Sequence, residues 1–166
     1  MTHPSLKGSL RLLAGEWRGR GVADFPTIER VDYMEELLVE WDSGRDVLCY
    51  EQRVVLADGS PSHREVGFIR VLGEGGLELW NAQDNGRTEV LRGSGEWNDS
   101  AGELAIVLES VTFGNDPRMV GSKRELRLGP SQLTYEVAMS TTTAPDAELR
   151  LHLRAQLDRT VVARSG

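Results

Sequence analysis

With 166 residues and a net charge of −7, the chain has the length of one domain, residues 1–166, and lacks the concentrated basic field that a nucleic-acid or anionic membrane partner demands. Its single cysteine, Cys49, excludes an internal disulfide, and three histidines without a second cysteine leave no sulfur-rich metal-site spacing. No apolar run of about 18 residues offers a membrane span and no charged-then-apolar leader follows Met1, so a cytoplasmic protein is expected.

In chain order, "PSLKGSLRLLAG" places Leu6, Leu10 and Leu13 at helical spacing and stops at Gly15, which predicts a short N-terminal helix despite Gly8 in its middle. "AGEWRGRGVADFPTI" follows, with Gly15, Trp17, Gly19 and Gly21 on every second position. Glycine within a strand marks a sharp bend or a close approach of another backbone or a ligand, and both readings stay open here. From residue 16 onward, alternating runs are separated by turn signals about every 8 to 12 residues: "DSGRD", "ADGS", "GEGG", "DNG", "NDSAG" and "LGPS". The runs "LELWNAQ", "TEVLRGSGEW", "ELAIVLES", "KRELRL", "LTYEVAMS" and "ELRLHLRAQL" have strand periodicity. Evenly spaced hairpins predict an all-β fold, a closed antiparallel up-and-down barrel of about ten strands, because closure removes the sheet's edges.

Within this frame "LAGEWRGRGVADFPTI" resembles the Gly-x-Trp-x-Gly-x-Gly and Tyr/Phe-Pro-Thr-Ile opening of the nitrobindins, small β-barrels shaped like the fatty-acid-binding proteins. "YEQRV", "HREVGFIRV", "NAQDNGRTEVLRG", "VAMSTTTAP" and "HLRAQLDR" resemble further blocks of that family in the same order. The resemblance implies one noncovalent b-type heme in the barrel mouth and a protein, monomeric or homodimeric, that binds nitric oxide and isomerises peroxynitrite to nitrate at ferric iron. On "HLRAQLDR" the axial iron ligand falls on His152. His63 in "HREVGF", Gln83 in "NAQDNG" and Met139 in "VAMSTTT" match cavity-lining places. Phe25, Pro26, Thr27 and Ile28 match the turn near the heme edge. A heme-free barrel that carries a small hydrophobic ligand is the alternative, since barrel interiors commonly hold one.

Each candidate also has a purely structural reading. His63 can be a half-exposed histidine at a strand start, Met139 a filler of the core, and Gln83 the partner of a buried polar group. Cys49 reads as a small buried hydrophobe. For His152 the difficulty is parity: in "ELRLHLRAQLD" a plain period of two turns Leu149, Leu151, Leu153, Ala155 and Leu157 inward and His152 toward water. The loop before it is also longer than the family's, so that an ungapped match puts Leu149 in the ligand's place. Placing the extra residues near Pro145 to Glu148 restores His152, and a one-residue bulge would turn its ring inward.

Overall fold

A computed structural model describes residues 5–25, 29–143 and 148–160, with the side chain of Glu74 excepted. Ser5 caps a short helix, α1 (Leu6–Leu10), its hydroxyl accepting a hydrogen bond from the Gly8 amide at 3.1 Å, and a 3-10 turn continues to Leu13. Ten strands follow: β1 (Gly15–Ala23), β2 (Val31–Asp42), β3 (Val47–Leu56), β4 (Pro61–Val71), β5 (Gly76–Gln83), β6 (Thr88–Asn98), β7 (Glu103–Gly114), β8 (Met119–Leu128), β9 (Gln132–Thr141) and β10 (Arg150–Arg159). Each pairs antiparallel with its neighbours in sequence, and β1 closes onto β10, so the sheet is a barrel without a free edge. Each of the six turn signals read from the sequence falls at a connection between consecutive strands.

The end that carries α1 is sealed by apolar side chains. Leu10, Leu13, Trp17, Leu48, Leu77 and Leu157 are among the residues buried there, each worth roughly 1.5–3 kcal/mol relative to exposure. Trp17 donates its indole N–H to the Leu13 carbonyl at 2.8 Å, and Arg159 lies over the Trp17 ring with its guanidinium carbon 4.2 Å from the centroid. Arg159 also donates to the carbonyls of Ala14, at 2.8 Å, and Pro130, at 3.0 Å. The first and last strands and the plug are thereby tied together.

The alternating glycines of β1 serve the wall of the barrel. A Cβ on Gly19 would lie 2.0 Å from the backbone oxygen of Gln156 on β10, and one on Gly21 would meet the Tyr33 ring. Of the two readings of these glycines, the close approach of a neighbour, backbone at Gly19 and the Tyr33 ring at Gly21, is the one the contacts show. No helix among the described residues is long and apolar enough to cross a membrane.

Candidate functional site

The opposite end of the barrel is formed by the ends of β1, β3, β5, β7 and β9 and the starts of β2, β4, β6, β8 and β10. His152 sits at the start of β10, at a break in register: Leu151 pairs with Ala138 and Leu153 with Val137, so two steps on β10 meet one on β9. This bulge overturns the plain alternation. His152 is only 7% exposed, whereas Leu149 and Leu151, inward by strict parity, are 46% and 40% exposed. Below the bulge the parity holds, with Ala155 and Leu157 buried. Leu149 therefore does not occupy the buried position that an ungapped match gives it.

The imidazole is held from several directions. Its Nδ1 lies 2.6 Å from the Arg150 carbonyl oxygen. A carbonyl can only accept, so Nδ1 carries the proton and Nε2 keeps its lone pair. Among the described residues nothing hydrogen-bonds Nε2. The Asp24 amide donates to the His152 carbonyl at 2.8 Å, and the Phe25 ring packs against the imidazole with centroids 5.0 Å apart. A fixed ring whose second nitrogen keeps its lone pair is the donor that heme iron takes from an axial histidine.

The other candidates line the same end. Met139 is buried near the end of β9, opposite Arg150 and Ser122. His63 and Gln83 stand on β4 and β5, across the ring from β9 and β10. The His63 side chain is 29% exposed, with Nε2 3.8 Å from Glu65 and Nδ1 3.7 Å from Asp84. Gln83 is buried, and its side-chain oxygen accepts from Arg87 Nε at 3.0 Å and Nη2 at 2.7 Å, so its reading as a buried polar partner holds. Pro26, Thr27 and Ile28 lie outside the described residues. Cys49 corrects its reading as a core residue: it is half-buried on the outer wall, next to Phe68 in register, and desolvation raises its thiol pKa.

Beneath this mouth lies a feature that motif reading missed, a polar layer spanning the barrel. Arg124 on β8 donates to Glu65 on β4 at 2.8 Å and to Glu89 on β6 at 2.7 Å. Asn81 bridges the two carboxylates at 3.2 and 3.4 Å, Tyr50 donates to Glu65, and Ser122 donates to Glu89. Burial pushes the Glu65 carboxyl up, but the Arg124 charge and its hydrogen-bond donors outweigh it and hold the group well below the usual carboxylate range. Glu35 on β2 is 1% exposed and has only neutral partners, Tyr135 at 2.5 Å and Gln52 at 2.8 Å. Its burial outweighs those donors and raises the carboxyl to about 7. The signal was present in the alternation, because Tyr33, Glu35, Leu37 and Val39 share the inward parity of β2. A concavity of about 870 Å³ on the outer wall near β1, β9 and β10 reaches Tyr33 and Tyr135 but none of the mouth candidates.

The chain matches, over residues 7–159, the family described as "THAP4-like, heme-binding beta-barrel domain". It is 37% identical over 158 residues to "Peroxynitrite isomerase Rv2717c" of Arabidopsis thaliana, covering 95% of this chain and 90% of that protein. It is 33% identical over 161 residues to "Peroxynitrite isomerase 2" of Mycobacterium ulcerans (strain Agy99), covering 95% of this chain and 96% of that protein. The crystal structure of Rv2717c from M. tuberculosis superposes with a TM-score of 0.84 at 30% identity, covering 97% of this chain and all of that one.

Proposed function

The chain belongs to the family of THAP4-like, heme-binding β-barrel domains, and from that premise we propose that it is a nitrobindin-type heme protein of the cytoplasm, one domain holding one b-type heme, that isomerises peroxynitrite to nitrate and binds nitric oxide. Its relatives bear the name peroxynitrite isomerase. The observation that carries the reading is the β10 bulge, which buries His152 with Nδ1 committed to a backbone carbonyl and no partner for the Nε2 lone pair among the described residues.

His152 would be the axial ligand, with Phe25 and Met139 packing beside the macrocycle and His63, Gln83, Thr27 and Ile28 around it. A bound heme would supply the Lewis-acidic iron needed for peroxynitrite isomerisation, held by His152. The chain's own part is threefold. The Arg150 carbonyl fixes the tautomer and plane of His152. Phe25 and Met139 give the mouth apolar walls that limit water beside the ring. The polar layer closes the barrel below, so a bound group cannot sink into the lumen. That layer also weakens the alternative of an apolar-ligand carrier, because the space under the mouth is crossed by charged side chains.

Titrating hemin into the purified protein tests the reading. A Soret band saturating at one heme per chain is expected, followed by accelerated peroxynitrite decay with nitrate as the product in stopped flow. A Soret titration without saturation, or decay no faster than with apoprotein, contradicts it.

A further inference from the structure

Three carboxylates and one guanidinium are buried in the polar layer, and their pairing is uneven. Glu65 and Glu89 share Arg124, whereas among the described residues no cation hydrogen-bonds Glu35. A fully buried carboxylate without a cation is costly when ionised and holds its proton readily. The groups facing it sharpen the asymmetry. Its own strand offers Tyr33, β9 offers Tyr135 and β3 offers Gln52, all neutral donors. On β4 Glu65 opposes its ionisation and His63 favours it, while Arg124 on β8 is engaged by Glu65 and Glu89. On β1 Gly19 pairs with Glu35, and on β10 Leu157 pairs with Gly19; neither carries a charge.

Glu35 also has a route for its proton. Tyr135 donates to Glu35, and the Tyr135 and Tyr33 hydroxyls are 3.1 Å apart. Both tyrosines border the outer concavity. The three groups form a hydrogen-bonded chain along which a proton can be handed to the carboxylate, with each hydroxyl reversing its hydrogen bond as it does so. The layer is also close to the mouth: Tyr135 lies one inward position below Val137, which pairs beside the His152 bulge. Tyr135 pairs with Ala155, three residues from His152 on β10, so at about 3.3 Å per residue the layer lies on the order of 10 Å beneath the ligand position.

We propose that Glu35 is a proton-gated charge beneath the heme, a positioning residue that ionises to favour a cationic ferric porphyrin core over a neutral one and so selects the oxidation state retained in the mouth. This rests on the heme-binding reading above. Ferric protoporphyrin has a core charge of +1 and zinc(II) protoporphyrin a core charge of zero, and both take one axial histidine. Their ratio of affinities removes the effects of propionates, cavity shape and His152 protonation. Two unit charges about 10 Å apart at an effective dielectric constant near 20 change a binding constant roughly tenfold.

The experiment measures dissociation constants of the full chain for hemin and for zinc(II) protoporphyrin from pH 5.5 to 8.5, in the parent, Glu35→Gln and Tyr135→Phe. In the parent, the preference for hemin is expected to grow by roughly tenfold across neutral pH. In Glu35→Gln the preference stays flat, and in Tyr135→Phe its midpoint moves to higher pH because the ionised carboxylate has lost a donor. A parent ratio independent of pH, or a Glu35→Gln ratio that rises as the parent's does, overturns the proposal while heme binding stands. Failure of the parent to bind either porphyrin overturns both readings. Should Glu35→Gln not fold, the parent ratio and the Tyr135→Phe midpoint decide the matter.

Discussion

The Cβ that Gly21 lacks would lie 2.1 Å from Cζ of Tyr33 on the adjoining strand. The tyrosine ring therefore occupies the space beside Gly21, with its hydroxyl 3.1 Å from that of Tyr135. Gly21→Ala should displace Tyr33 and lower stability by roughly 1–3 kcal/mol. In chemical denaturation the loss should be much smaller on a Tyr33→Ala background. Equal losses on both backgrounds would place the strain somewhere other than the ring.

Gly19 meets backbone, which cannot swing aside: Gln156 O would be 2.0 Å from an added Cβ. Gly19→Val is expected to cost about 3 kcal/mol or more, by forcing β1 away from β10. Thermal melts that match the parent would show that the two strands can separate freely.

His152→Ala should fold, because Ala155 and Leu157 below the bulge keep β10 packed in the core. It should lose most of its hemin affinity, whereas Leu149→Ala, at a half-exposed position, should bind hemin as the parent does. Soret titrations of the two variants side by side check this. Heme lost by the leucine variant and kept by the histidine variant would transfer the ligand place to residue 149.

Stability should depend on Glu35 with a definite sign. The folded carboxyl titrates at about 7 against an ordinary value of 4.5, so between those values the folded chain holds more protons than the unfolded one. Its favourable contribution is complete below pH 4.5 and is lost as the pH rises toward 7, by about 3 kcal/mol in all. Glu65, held low by Arg124, acts in the opposite direction and loses its contribution as the pH falls below the ordinary carboxylate range. Melting temperatures of Glu35→Gln minus parent should accordingly increase from pH 5 to pH 8. A constant difference would mean that Glu35 does not titrate in this interval.

Among the described residues Arg124 is the guanidinium that joins Glu65 and Glu89 in the buried layer. Arg124→Met leaves two buried carboxylates facing each other and should destabilise the fold by roughly 3–5 kcal/mol at pH 7. Part of this loss should be recovered at pH 5, where the carboxylates can take up protons, as urea midpoints at the two values would show. A loss of equal size at both would point to packing as its cause.

The sequence by itself determined the barrel. Turn residues at short intervals and a period of two implied about ten antiparallel strands in sequence order closing on themselves, because hairpin pairing is a local or nearest-neighbour property of the chain. It also singled out His152, Met139, His63 and Gln83, which the strand directions bring to one end. Only the tertiary structure decided how they are used. Alternation along β10 points His152 outward, and the contrary result depends on a bulge between Leu151 and Leu153 that the pairing with β9 imposes. The polar layer was hidden for a related reason. Glu35, Glu65, Glu89 and Arg124 look like ordinary charges in half-polar strands, and their meaning comes from meeting across the lumen, where exclusion of water leaves two carboxylates paired and one dependent on its proton.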